Sequence, residues 1–140
     1  MVDLDGTLID TLGDFELALN RMLHDFGHAP VERSFIERTV GKGSEHLIAR
    51  TLEYATNRPP AQSNIAQAAT KNIAFDAAYK HYQQHYAAVN GQASTVYAGV
   101  VQRLQRMQAA GLQLACLTNK PTALAIPLLK AKGLDGYFAH

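Results

Sequence analysis

The stretch Met1-Val2-Asp3-Leu4-Asp5-Gly6-Thr7-Leu8-Ile9-Asp10-Thr11 decides the fold. Met1–Leu4 reads as the end of a strand, and Gly6 marks a turn. From Thr11 the period changes: Leu12, Phe15, Leu19, Met22, Leu23 and Phe26 recur at steps of three and four, one face of a helix. Gly27 and Pro30 end that helix. A strand that breaks at two carboxylates and feeds a helix is the beginning of an α/β unit.

Working outward, a short helix is expected around Phe35–Thr39, then a flexible loop at Gly41-Lys42-Gly43, then a helix from about Ser44 to Ala55. Asn57–Asn64, with Pro59 and Pro60, reads as a loop. A long alanine-rich helix is expected over Ile65–Ala88, and Val89–Val96 as a connector. Beyond Gly99 the pattern becomes helix, strand, helix: Gly99–Ala110, a buried strand at Leu112–Leu117, and Thr122–Lys132 closed by Gly133. Pro127 falls inside the last helix, where it is expected to kink the first turns. The ends are therefore α/β in character and the middle is helical. The expected architecture is a three-layer parallel-sheet core, formed by 1–12 and 91–140, with an inserted helical cap over 13–90. Such a block suits a lid above the sheet's carboxyl edge, where ligands bind in open α/β sheets.

Composition narrows the function classes. Of the 140 residues, 47% are hydrophobic, enough to fill a core, and the formal charge of +1 supplies no field for a nucleic-acid backbone. No apolar stretch approaches the ~18–20 residues that span a bilayer. The single cysteine, Cys116, excludes an intrachain disulfide and suits a reducing compartment. A cytoplasmic protein with neither nucleic-acid nor membrane partners is expected. The short strand before Asp3 and the apolar run starting at Tyr137 suggest a fragment.

The chemistry lies in Asp3-Leu4-Asp5-Gly6-Thr7. A strand that breaks at its end can turn both carboxylates toward one site. One carboxylate can then attack phosphorus to form an aspartyl-phosphate, while its partner protonates the leaving oxygen and later takes a proton from water. Two carboxylates facing a phosphate need a cation, and oxygen-only ligation suits Mg²⁺, with Asp3 and Asp5 as ligands. Gly6 and Thr7 are expected beside the phosphate, Gly6 because it lets backbone N–H groups approach. A calcium loop would need a third ligand at Thr7 and glycine at Leu8, so that reading fails. The second motif is Leu117-Thr118-Asn119-Lys120-Pro121, a strand end followed by a helix. There Thr118 and Asn119 can cradle a phosphate or simply cap the helix.

Together these motifs resemble those of the haloacid dehalogenase superfamily of phosphohydrolases, most closely its phosphoglycolate phosphatase branch. Ile9-Asp10-Thr11, Val40-Gly41-Lys42-Gly43, Tyr97-Ala98-Gly99-Val100 and Leu128–Leu134 carry the similarity along the chain. Proline is common in that branch where Ala98 stands here. The resemblance implies that Asp3 is the nucleophile and a Mg²⁺ ligand. It makes Asp5 the general acid/base, binding Mg²⁺ through its backbone carbonyl. Thr118 would hydrogen-bond the transferring phosphoryl group, with Asn119 beside it. It also implies a later lysine and a later acidic pair beyond His140, Lys120, Lys130 and Lys132 standing too close to the second motif. The implied substrate is a small phosphomonoester, best 2-phosphoglycolate, and a link to clearing that product after DNA repair comes with the resemblance only. Pyrophosphatase, β-phosphoglucomutase and phosphonate-cleaving relatives are the alternatives in the class; a non-catalytic phosphate-binding module is the alternative outside it.

Lys42, in the cap loop, can meet a substrate carboxylate or be a solvated turn residue. His24 and His28, like His81 and His85, are four apart. Zinc would require a further converging ligand, and Cys116 is expected to be buried in a strand, so zinc is not expected.

Overall fold

The computed structural model describes residues 1–57 and 74–139. The chain divides into two compact units, Met1–Gly13 with the segment from Asn90 onward, and Asp14–Val89. Elements run in the order β1 (Ile9–Asp10), α1 (Leu12–Asp25), α2 (Arg33–Thr39), α3 (Ser44–Asn57), α4 (Phe75–Val89), β2 (Thr95–Val96), α5 (Val100–Ala109) and α6 (Thr122–Ala131), then a 3-10 turn at Asp135–Tyr137.

In the first unit the carboxylate-bearing strand end lies parallel to the second motif. Val2 and Cys116 form a parallel bridge, with Val2 N–H donating to Ala115 O (2.9 Å) and Leu117 N–H to Val2 O (2.9 Å). Leu4 (0% exposed) points into a core shared with Leu104, Leu114, Leu128, Leu129 and Leu134. Thus α5 and α6 cover one face of this strand pair. On the other face Leu117 is 63% exposed; Leu112, where the run begins, is 56% exposed.

These exposures correct the expectation of a buried strand at Leu112–Leu117. Only Leu114 in that run is buried, Cys116 is half-buried, and the regular structure is limited to the one bridge with Val2. An apolar run reports the capacity for burial on two faces; here, among the described residues, only one face has neighbours. The expected connector Val89–Val96 is also corrected at its end. Thr95–Val96 pairs antiparallel with β1, Ile9 opposite Val96 and Asp10 opposite Thr95. Two-residue strands carry too few positions for a period to show. The long helix expected from Ile65 is described only from Phe75, its earlier part lying outside the described residues.

The helical unit follows its periodicity closely. Leu19, Met22 and Leu23 of α1, Ile36 of α2, Ile48 and Leu52 of α3, and Tyr82 and Tyr86 of α4 are buried. Stacked rings add contacts beyond area burial, Phe15 on Tyr86 at 5.4 Å and Phe35 on Tyr54 at 4.4 Å between centroids. The Asp10 carboxylate accepts from Leu12 N–H (3.1 Å) and so satisfies an orphan donor where α1 begins. At its other end His28 N–H bonds back to Leu23 O (2.9 Å), a six-to-one closure past Gly27. α6 runs through Pro127 to Ala131 and closes in the same way, Leu134 N–H to Leu129 O (2.8 Å).

Gly13 marks a close approach of two backbones. A Cβ there would overlap the carbonyl oxygen of Ala93, which belongs to the main chain and cannot step aside. Gly13→Ala is therefore expected to cost about 1–3 kcal/mol of stability by overpacking, read as a lowered Tm. An unchanged Tm would mean that the two segments do not touch.

Candidate active site

The polypeptide turns sharply after Leu4. Its carbonyl accepts from Leu8 N–H (3.0 Å) and Ile9 N–H (3.1 Å), with Thr7 N–H further off at 3.4 Å, so one carbonyl anchors a single tight turn. Gly6 stands in the left-handed region at φ +76°, where a side chain is strained, and its N–H donates to Ile9 O (2.9 Å). The glycine is thus required by the turn, and its amide is already engaged there rather than held toward a ligand. Asp3 and Asp5 flank buried Leu4, so strand alternation sets both carboxylates on the side away from the core. Asp3 is exposed, and its Oδ1 accepts from Leu4 N–H (2.8 Å), which fixes the carboxylate's orientation. Thr7 is exposed on the same turn.

Thr118 and Asn119 continue from the segment that pairs with Val2. Thr118 Oγ1 accepts from Lys120 N–H (3.1 Å), a local turn contact that leaves the hydroxyl hydrogen to donate elsewhere. Pro121 is the N-cap residue of α6, without a side-chain cap bond, so neither Thr118 nor Asn119 serves there. Both carboxylates are felt at Cys116. Burial, and then the negative charges of Asp3 and Asp5, push its thiol up, which keeps it protonated and unreactive.

The residue that sequence reading set aside is Lys120. Its side chain is only 3% exposed, and its ammonium lies 3.3 Å from Asp5 Oδ1. No spacing rule could have found this pair, whose members are 115 positions apart. Lys132 is committed elsewhere, its ammonium donating to Gly91 O (2.8 Å) and Ser94 O (2.6 Å), and Lys130 is exposed. Asp3, Asp5, Gly6, Thr7, Thr118 and Asn119 all belong to the first unit. Lys42 belongs to the helical unit, exposed in the loop between α2 and α3.

The site therefore offers two carboxylates, a hydroxyl and a buried cation around one strand end, a set suited to handling a phosphoryl group. Such an edge, on a parallel strand pair packed by helices, is where ligands bind in open α/β proteins. A haloacid dehalogenase-like hydrolase family model matches residues 1–140, and the chain belongs to that family. Among curated relatives it is 38% identical over 137 residues to a plasmid-borne phosphoglycolate phosphatase of Cupriavidus necator, covering 98% of this chain and 54% of that protein. A phosphoglycolate phosphatase of Nitrosospira multiformis is 35% identical over 138 residues, covering 99% of this chain and 56% of that protein. The chain thus spans about half the length of the curated relatives it matches. A crystal structure of a predicted phosphoglycolate phosphatase from Haemophilus somnus superposes with a TM-score of 0.82 at 28% identity, covering 98% of this chain and 58% of that one. No helix among the described residues is long and apolar enough to cross a membrane.

Proposed function

We propose that the chain contributes the nucleophile and acid/base half of a phosphomonoesterase, with 2-phosphoglycolate as substrate. The observation that carries this reading is the Val2–Cys116 pairing, which sets the Asp3 motif alongside Thr118, with Lys120 against Asp5. The substrate assignment rests on the names of relatives at 35–38% identity. Asp3 attacks phosphorus and the ester oxygen departs with a proton from Asp5, leaving an aspartyl-phosphate. Asp5, now a base, takes a proton from water, which attacks phosphorus; phosphate leaves and Asp3 is regenerated. The Thr118 hydroxyl and the Lys120 ammonium stabilise the charge on the transferring oxygens.

The donors around this turn are the Asp3 carboxylate and the oxygens of Asp5. An all-oxygen set with few protein ligands fits Mg²⁺, which retains several waters. Asp3 and the Asp5 carbonyl would hold it, and when bound it neutralises charge between carboxylate and phosphate. In enzyme carrying this chain, chelation is expected to abolish phosphate release and added Mg²⁺ to restore it. In a panel of phosphomonoesters, 2-phosphoglycolate should give the highest kcat/KM. Turnover indifferent to chelator would remove the metal, and a flat substrate profile would remove the substrate assignment.

Lys120→Met retains the buried stem but removes the cation. It is expected to lower kcat/KM by about 10²-fold, and to cost about 1–3 kcal/mol because half-buried Asp5 loses its partner. Unaltered kinetics in a folded variant would reduce Lys120 to a structural ion pair.

A further inference from the structure

We propose that Asp25, His81 and His85 form a site for a divalent first-row transition ion, zinc or its neighbours, on the helical unit. His81 and His85 are one turn apart on α4 and therefore share a face. The third ligand, which spacing within α4 could not reveal, comes from the last residue of α1. Asp25 Oδ2 lies 2.9 Å from His81 Nδ1 and 2.6 Å from His85 Nε2. One donor atom from each residue can be chosen so that all three lie within 4.8 Å of one another. Tetrahedral ligands at 2.0–2.1 Å from an ion stand about 3.3 Å apart, so side-chain movements of about 1 Å convert the hydrogen-bonded triad into a ligand set. Each neutral imidazole then presents a lone pair toward the ion, its proton residing on the other ring nitrogen.

Two features favour a cation over a simple ion-paired staple. Asp25 closes the C-terminal turn of α1, where the helix dipole disfavours a carboxylate and favours positive charge. The two imidazoles also converge on one carboxylate oxygen, more than one pairing interaction requires, and their hydrogen bonds hold the Asp25 carboxyl below the usual carboxylate range. All three side chains are partly exposed, which leaves room for a water as fourth ligand. Mixed nitrogen and oxygen donors select zinc, cobalt, nickel or copper and discriminate against magnesium. Among the described residues this is the one such group of three His, Cys, Asp or Glu side chains.

The test is titration of Zn²⁺ and of Co²⁺ into the full chain with excess Mg²⁺ present to occupy oxygen-only carboxylate sites. One equivalent should bind by calorimetry, Co²⁺ should develop the visible absorption of a four- or five-coordinate ion, and Tm should rise with Zn²⁺ concentration. Asp25→Asn and the double variant His81→Ala, His85→Ala should each weaken binding by at least about 100-fold, while His24→Ala, His28→Ala should leave it unchanged. Absence of saturable binding to the native chain would overturn the site. So would affinity retained in folded Asp25→Asn, the variant that preserves shape if loss of both histidines unfolds the unit.

Discussion

Asp3→Asn is expected to lower phosphate release by at least about 10⁴-fold, because an amide oxygen cannot displace an alkoxide from phosphorus and no neighbouring group inherits the role. The fold should be indifferent to the change. Asp3 is exposed, and the one hydrogen bond seen for its carboxylate, from Leu4 N–H, is available equally to the amide oxygen of asparagine. Thermal unfolding of the two forms should coincide, and acid-quenched enzyme should trap a phosphorylated residue only in the native form. Turnover retained by a folded Asp3→Asn protein would take Asp3 out of the mechanism.

The second large effect is expected at Asp5. Asp5→Asn preserves volume and still accepts from the Lys120 ammonium, but it cannot give or take the reaction's proton. Loss of a positioned acid/base removes about 10²–10⁴ in rate. The diagnostic is its dependence on the leaving group. An alkyl phosphate such as 2-phosphoglycolate expels a strongly basic oxygen that needs protonation, whereas p-nitrophenolate departs unaided. Formation of the aspartyl-phosphate should therefore be severely slowed with the alkyl ester and much less with p-nitrophenyl phosphate, while its hydrolysis is slowed with both. Equal losses in the first step for the two substrates would assign Asp5 a purely structural part through Lys120.

Both predictions depend on a site whose halves differ in legibility. Asp3, Asp5, Gly6 and Thr118 stand out because each occupies a local break: a strand running into a positive-φ turn, or a strand end running into a helix. Lys120 looked inert by the same local logic, since two positions after Thr118 says nothing about which side chain lies opposite. Its contact with Asp5 is made by the parallel pairing of Val2 with Cys116 and by the burial of its stem. The histidine pair shows the same division. The four-residue spacing announced a shared face, but Asp25 became its third member only through the approach of α1 to α4.

The order of residues alone determined the α/β character of the ends, the helical middle and the two motifs, because helical period, turn glycines and strand breaks are properties of neighbours a few positions apart. Tertiary structure decided how far those tendencies were realised. Leu112–Leu117 had the composition of a doubly buried strand, yet Leu117 is 63% exposed because the described residues pack against one face. It also decided which charges meet, Asp5 with Lys120 and Asp25 with His81 and His85. Pairing between distant segments depends on the packing of whole elements, for which no short-range pattern carries a signal.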